Sequence, residues 1–170
     1  MFIKQSEEAV RQSLILNVNA AIDEIRLAEA QLWSASPDDL GMEVETQVKF
    51  RAAEVSRKEG SIIFAIDFEF IARTSGLEEK PKDLVKVACK LEASYHLKPD
   101  FVPTETQIEA SHKGNVVFNC WPFFREFVQN STVRMHIPPP PIPFLRVMPQ
   151  EKKKQARQLQ ASEVTSKPAD

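Results

Sequence analysis

Two neighbouring stretches decide how this sequence folds: WPFFREFV at residues 121–128 and RMHIPP at residues 134–139. The first stretch is strongly apolar and carries Pro122 near its start, and the second leads into a series of prolines. Proline fits the first turn of a helix but disrupts a helix interior. The pattern therefore predicts a helix that begins at about Trp121–Pro122 and ends before the prolines.

The apolar residues of this helix cover more of its surface than one sheet is expected to bury. They form an arc wider than the roughly 100° stripe of an ordinary surface helix. Residues 116–120 are expected to form a separate turn before it, and Pro138 to Pro143 a polyproline II segment after it. The apolar surplus predicts packing within a homo-oligomer, a groove for another protein, or both.

Four segments upstream alternate between apolar and polar residues, which predicts an antiparallel sheet with one wet face. They are residues 14–30, 42–54, 61–73 and 84–97. In the first segment the apolar phase shifts between Ile22 and Ile25, which indicates a β-bulge. The fold class is therefore α+β, with a four-stranded antiparallel sheet followed by one long helix.

The connections between these segments are rich in turn-forming residues. They are a loop at residues 32–41, a tight turn at 57–60 and a polar loop at 76–82. After the last strand, Thr104 to Lys113 is expected to form a short helix, with Thr104 as N-cap and Gln107 in the capping-box position. Gly114 is expected to end it.

Length and composition bound the class of protein. The chain has 170 residues, which suits one domain over residues 1–149. Residues 150–170 contain almost no large apolar side chains and are expected to form a polar tail. The net charge of −2 gives no overall attraction to nucleic acid. No apolar run is long enough to cross a bilayer, so we expect no membrane insertion.

The two cysteines and the N-terminal residues favour a cytoplasmic protein. Cys89 and Cys120 have no metal-binding spacing and lie in apolar surroundings, where small buried side chains are expected. The first residues, MFIKQSEEAVRQS, contain charges and lack the apolar region of a signal peptide.

Candidate catalytic residues are few and scattered. The histidines His96, His112 and His136 fall in different elements, and no nucleotide-binding or protease motif is present. Asp67 and Glu69 share one strand parity and form a possible pair of carboxylates, although a solvated sheet face accounts for them better. We expect no enzyme, cofactor or metal.

The helix motif resembles that of the SecB protein-export chaperones and their SecB-like relatives. Residues 121–126 are similar to the family's Pro-Tyr-x-Arg-Glu helix start, and Arg134 with Pro138-Pro139 is similar to its helix end. The order of four strands and then a helix agrees over residues 12–145. Trp33 matches a family tryptophan beside the client groove.

The resemblance implies an ATP-independent chaperone, a holdase that binds unfolded or nascent polypeptides. It implies a homotetramer in which two sheets pair into a dimer and helices pack between the dimers. We expect client binding at Trp33, Val44, Phe68, Phe70, Trp121 and Phe124. We expect the oligomer interface at Phe123, Phe127 and Val128.

The chain departs from the family in three places, one of which is the 150–170 tail, whose start is basic and does not resemble the family's tail. His136 stands where the family usually has glycine, which leaves the turn geometry open. The exposed sheet face of the export chaperones is acidic, whereas here Glu43, Glu45, Asp67 and Glu69 alternate with Lys49, Arg51, Lys86 and Lys90. The partner is therefore open between an export motor ATPase and the antitoxin of a toxin–antitoxin pair.

Two other functions compete with the chaperone. A hot-dog thioesterase-like enzyme also wraps a sheet around an apolar helix, but places that helix before its strands are complete. A structural or adaptor subunit would use the apolar helix only to build an oligomer. The chaperone hypothesis is preferred because an extended client can bury apolar side chains and pair with a strand edge.

Overall fold

The computed structural model describes residues 1–35, 44–74 and 82–149. Strand β1 (Phe2–Gln5) and helix α1 (Glu7–Asn19) come first. Four long strands follow: β2 (Ala20–Ser34), β3 (Val44–Lys58), β4 (Ser61–Thr74) and β5 (Asp83–Leu97). The remaining elements are α2 (Glu105–Ser111), a π-helical turn (His112–Val116), α3 (Val117–Arg134) and β6 (Arg146–Pro149).

The four long strands form one antiparallel sheet in the order β2-β5-β4-β3. The predicted α+β class and four-stranded sheet are confirmed. The bulge expected in the first strand is also present, because the pairing of β2 with β5 shifts between Ile22 and Glu24. The tight turn between β3 and β4 is confirmed by Gly60, whose φ of 67° suits glycine.

The first predicted strand begins too early. Residues 7–19 form helix α1, and β2 starts only at Ala20. Leu14, Leu16 and Val18 alternate as in a strand, but they belong to a helix that begins at the cap Ser6, whose hydroxyl accepts from the Ala9 N–H. Glu7 and Glu8 lie in the first turn, where their negative charges stabilise the helix by interacting with the positive end of its dipole.

The C-terminal helices are continuous rather than separate. The capping box of α2 is present as predicted, with Thr104 and Gln107 bonding each other's backbone. Gly114 does not end the helix, because the π-helical turn carries the chain directly into α3. The predicted start of α3 is wrong: Pro122 is the sixth residue of the helix. Pro122 and Phe118 are both exposed, so water can reach the carbonyl that the missing N–H leaves free.

The last described strand pairs with the first. Strand β6 pairs in parallel with β1, an element that the sequence did not predict. Between α3 and β6 the chain passes through the prolines and packs along α3. The loop at 36–43, the loop at 75–81 and the tail at 150–170 lie outside the described residues, so the expectations for them stay predictions.

The core lies between α3 and the two central strands. One face of β4 and β5 is almost wholly buried, and Phe68 stacks on Phe124 of α3 with ring centroids 4.7 Å apart. Trp121 packs against both rings, at 6.1 Å from Phe68 and 5.5 Å from Phe124. This aromatic cluster joins helix to sheet and leaves the edge strands β2 and β3 less covered.

Candidate functional site

An apolar groove of about 330 Å³ lies at the end of the sheet where β3 begins. Its floor belongs to the sheet, and its opposite wall is the proline segment that follows α3. We call residues 137–145 the proline strap. The groove is lined by Val44, Thr46, Phe70, Ala72, Leu84, Val85, Thr132 and Ile137 to Pro141. None of these side chains is charged, so the groove favours apolar groups.

The groove lies beside an unpaired strand edge. In the described sheet, β3 has β4 as its neighbour on one side and no strand on the other. Val44 and Thr46 lie on the strand face that turns toward the groove, opposite Thr74 and Ala72. An extended peptide is therefore able to pair with the free edge and place alternate side chains in the groove.

Two of the predicted client-binding residues meet at this groove. Val44 is 48% exposed at its rim, whereas Phe70 is 1% exposed and forms its floor. The residues that the sequence reasoning missed belong mainly to the proline strap. Its prolines are expected from the sequence to form a polyproline II segment, but that expectation assigned them no binding role, although their position after the apolar helix was the available signal.

Three other predicted client-binding residues lie in the core. Phe68, Trp121 and Phe124 are at most 3% exposed and form the aromatic cluster between sheet and helix. These residues lie on an apolar face, as expected from the sequence, but the protomer itself covers that part of the face. They have no surface for a client in this structure.

Trp33 lies on the opposite face of the sheet from the groove. The expectation that it sits in a loop is wrong, because it is a residue of β2 and pairs with Lys86. Lys86 projects to the charged face, where it bonds Glu69 at 2.8 Å. Trp33 is 50% exposed there, and the register of β2 separates it from the groove. A client role for Trp33 therefore loses its structural basis.

The predicted oligomer interface is only partly available. Phe123 is 46% exposed and Phe127 half-buried, whereas Val128 is fully buried against its own sheet. Val128 has no surface left for a second copy. The outward face of α3 instead adds Phe118 and Val133, at 47% and 54% exposed, and both had been overlooked.

The charged face of the sheet is a shallow concavity of about 500 Å³ with its charges paired across strands. Glu29 bonds Lys90 at 2.9 Å, and Asp67 bonds Arg51 at 2.6 Å. These carboxylates raise the pKa of the Lys90 ammonium and of the Arg51 guanidinium through direct hydrogen bonds. Opposite charges thus alternate across the sheet and largely cancel one another.

The groups considered for chemistry have ordinary structural roles. Glu69 bonds Lys86 and lies 3.9 Å from Lys49. Cys89 and Cys120 are buried free thiols, and burial raises the pKa of each to about 12, so neither is a thiolate at neutral pH. In the described part of the chain, no three His, Cys, Asp or Glu side chains come together as a metal site.

The three histidines differ in their surroundings. His112 is buried, with its Nε2 2.8 Å from the Ala65 carbonyl, and burial lowers its pKa. His96 and His136 are exposed. His136 has a φ of 58°, so it adopts the left-handed conformation that glycine adopts most readily. The described helices include none that is long and apolar enough to cross a membrane.

Comparison with known proteins finds similarity among solved structures. Neither the models of protein families nor the curated proteins match the sequence. Among solved structures, the chain resembles the Mycobacterium tuberculosis Rv1957 SecB-like chaperone in complex with a ChAD peptide from the Rv1956 HigA1 antitoxin. The TM-score is 0.70 at 19% identity, over 81% of this chain and 98% of the other.

A protein of unknown function from Streptococcus agalactiae also matches, with a TM-score of 0.39 and 10% identity over 74% of this chain and 97% of the other. That similarity is too low to inform the fold. The first match covers most of both chains. The resemblance seen in the helix motif is therefore confirmed at the level of the architecture, and this chain has the fold of a SecB-like chaperone.

Proposed function

We propose that the protein is an ATP-independent holdase that captures extended apolar segments of unfolded polypeptides. The observation that carries the proposal is the uncharged groove beside the free edge of β3. Backbone pairing at the edge supplies affinity without regard to sequence, and the groove selects for apolar side chains. Thiols with pKa values near 12 and scattered histidines offer no competing reaction centre among the described residues.

The capacity of the groove defines the segment that it accepts. A volume of about 330 Å³ has room for two or three large aliphatic side chains. Because alternate residues of a strand face the same side, these would be at positions i, i+2 and i+4 of the client. Charged side chains at the same positions would lose hydration without gaining a partner.

Assembly as a homotetramer is part of the proposal. The edge strand β2 exposes Ile22, Leu27 and Leu32 on the core face of the sheet, which suits pairing of two sheets. The helical layer separately exposes Leu14, Val18, Phe118 and Phe123. Two distinct apolar surfaces are what a dimer of dimers requires, since each kind of contact uses its own surface.

An antitoxin is the partner that we favour over an export motor. The similar mycobacterial structure contains an antitoxin peptide, whereas an acidic sheet face, which the export chaperones use for their motor, is replaced here by paired charges. The buried free thiols suit a reducing compartment, and we propose a cytoplasmic location.

The test is suppression of aggregation without nucleotide. A chemically unfolded model protein is diluted into buffer with and without the chaperone, and light scattering is followed. We expect suppression at about one chaperone tetramer per client and no change on adding ATP. Unaltered aggregation at a tenfold excess of chaperone would refute the holdase proposal, and strict dependence on ATP would refute its mechanism.

A second experiment distinguishes the groove from the charged face as the site of contact. Binding of an apolar antitoxin-like peptide and of a generic alternating peptide is compared by fluorescence anisotropy at two salt concentrations. Apolar capture in the groove should survive moderate salt, because screening weakens charge contacts rather than apolar burial. Loss of binding in moderate salt would instead assign the contact to the charged face.

A further inference from the structure

The proline strap forms one wall of the groove but has few backbone bonds of its own. Five of its residues are prolines, which lack an N–H. Its start is fixed by the Ile137 N–H, which donates to the Thr132 carbonyl at 2.9 Å. The peptide bonds of the strap are trans, and each of its residues that precedes a proline is restricted to extended backbone by contact with the proline ring. The strap is therefore a stiff rod whose position depends on how its far end is held.

Two side chains of α3 hold that far end. The indole Nε1 of Trp121 donates to the Pro143 carbonyl at 3.1 Å. One turn later, the Arg125 guanidinium lies over the ring of Phe144, 4.5 Å from its centroid. Residues four apart share one face of a helix. Trp121 and Arg125 therefore contact the strap from the same side, at its consecutive residues Pro143 and Phe144. Ile142 and Leu145, on either side, are 4% and 6% exposed and anchor the same turn.

We propose that Trp121 and Arg125 are positioning residues that set the width of the groove by fixing the proline strap. The inference rests on the proposed function of the groove. Neither residue lines the groove, since the wall is Ile137 to Pro141. They act through the proline strap. Because this stiff segment is held at both ends, its residues that line the groove stay at a fixed distance from Phe70. Preorganised walls bind better because the client does not have to order them.

The arrangement also explains the spacing within the motif at residues 121–126. Trp121 contributes its ring to the aromatic cluster and its N–H to the strap, so one residue links the core to the groove wall. Phenylalanine at this position keeps the ring contacts but lacks the donor. Arg125 has no ion-pair partner among the described residues, which leaves its charge free to hold the ring of Phe144.

The test compares Trp121→Phe with Tyr95→Phe. The second variant is a matched control: it removes the hydroxyl that accepts from Asn119 of the same helix at 2.9 Å, but it does not touch the strap. Arg125→Met is the second strap variant. Circular dichroism first establishes a temperature at which all variants are folded. Binding of a labelled ten-residue peptide with leucine at alternate positions is then measured by anisotropy.

Strap order is measured separately, without client, from NMR order parameters of the Ile137 and Ile142 methyl groups. We expect Trp121→Phe and Arg125→Met to lower the Ile142 order and to weaken peptide binding about 2- to 10-fold, as for one net hydrogen bond. Tyr95→Phe should change neither. In the wild type, peptide should shift the Trp121 indole N–H resonance and leave that of Trp33 in place.

The outcomes are distinguishable. If the wild type binds the peptide and Trp121→Phe binds it equally well with a loosened strap, the positioning role is refuted while the groove function stands. Unchanged strap order in both strap variants also refutes it. If Tyr95→Phe weakened peptide binding equally, the loss would follow from lower stability in general, and the positioning role would be refuted. If the wild type does not bind the peptide, the proposed function fails and the inference falls with it.

Discussion

The Nε2 atom of His112 meets the carbonyl oxygen of Ala65 at 2.8 Å, at a gap in the pairing of β3 with β4. The register of β3 shifts between Ala52 and Val55, so Ala65 has no partner residue in β3. A carbonyl only accepts, so Nε2 carries the proton. The π-helical turn between α2 and α3 is thereby bonded to the sheet at this gap, beside the ring of Phe64 at 5.2 Å.

Stability is expected to fall as the pH drops below neutral. Burial is the main cause that lowers the pKa of His112 below 6.5, and nearby Lys113 adds to it. Between the folded pKa of His112 and its unfolded value of 6.5, the unfolded chain binds more protons than the folded chain. The contribution of His112 to stability is therefore fully present above pH 6.5 and is lost as the pH falls through the folded pKa. Urea unfolding from pH 7.5 to 5 measures this.

A variant at position 112 that does not titrate tests the cause. His112→Gln keeps a donor for Ala65 but does not titrate, so it should flatten the dependence on pH between 7.5 and 5. Equal slopes in His112→Gln and the wild type would assign the effect to other groups.

Gly114→Ala is expected to destabilise the protein by about 1–3 kcal/mol, the cost of a buried polar group without its partner. A Cβ at position 114 would collide with the side-chain amide of Gln5. Gln5 uses this amide to donate to the Ala110 carbonyl at 2.9 Å, so the collision breaks a buried bond between β1 and α2. Urea denaturation measures the loss.

A double-mutant cycle tests the cause. In a Gln5→Ala background the collision is absent, and alanine favours a helix over glycine by up to about 1 kcal/mol. Gly114→Ala should therefore be neutral or stabilising there. Additive losses in the double variant would contradict the proposed contact between Gln5 and residue 114.

Val44→Glu should weaken binding of an apolar peptide about tenfold or more, because a charge at the groove rim loses hydration when a client covers it. Val55→Glu is the matched control: it is a partly exposed valine of the same strand and the same face, away from the groove. Anisotropy titrations compare the two. Similar losses in both variants would place the client elsewhere on β3.

Phe123→Glu should reduce the assembly from a tetramer to a smaller species without unfolding the protomer. Phe123 is 46% exposed in one chain, so the charge is costly only where a second copy covers it. Light scattering gives the mass. Val102→Glu is the control: Val102 is 86% exposed, and this variant should leave the mass unchanged. A monomeric wild-type protein would contradict the proposed tetramer.

Phe124→Glu should unfold the protein rather than only dissociate it. Phe124 is fully buried and stacks on Phe68 at 4.7 Å, so a carboxylate there would be unpaired in the core. Circular dichroism should show loss of the folded signal at neutral pH. A folded Phe124→Glu protomer would contradict the aromatic cluster as the link between helix and sheet.

The sequence alone was sufficient for the elements whose signals are local. Strand alternation, the bulge in β2, the turn at Gly60 and the capping box at Thr104 all depend on a few neighbouring residues. The start of α1 was missed although Ser6 and the acidic first turn were present, because Leu14, Leu16 and Val18 alternate as in a strand, whereas in the helix Leu16 is buried and the other two are exposed. The start of α3 was misjudged because an exposed proline is tolerated inside it.

Tertiary structure decided which apolar residues are available to a partner. Alternation places Phe68, Phe70 and Val44 on one face of the sheet, but only the position of α3 buries the first two and leaves Val44 at a rim. The pairing of β1 with β6 joins residues more than 140 positions apart, for which no local pattern exists. Faces follow from backbone periodicity, whereas burial depends on what packs against a face, and that is a property of the folded chain.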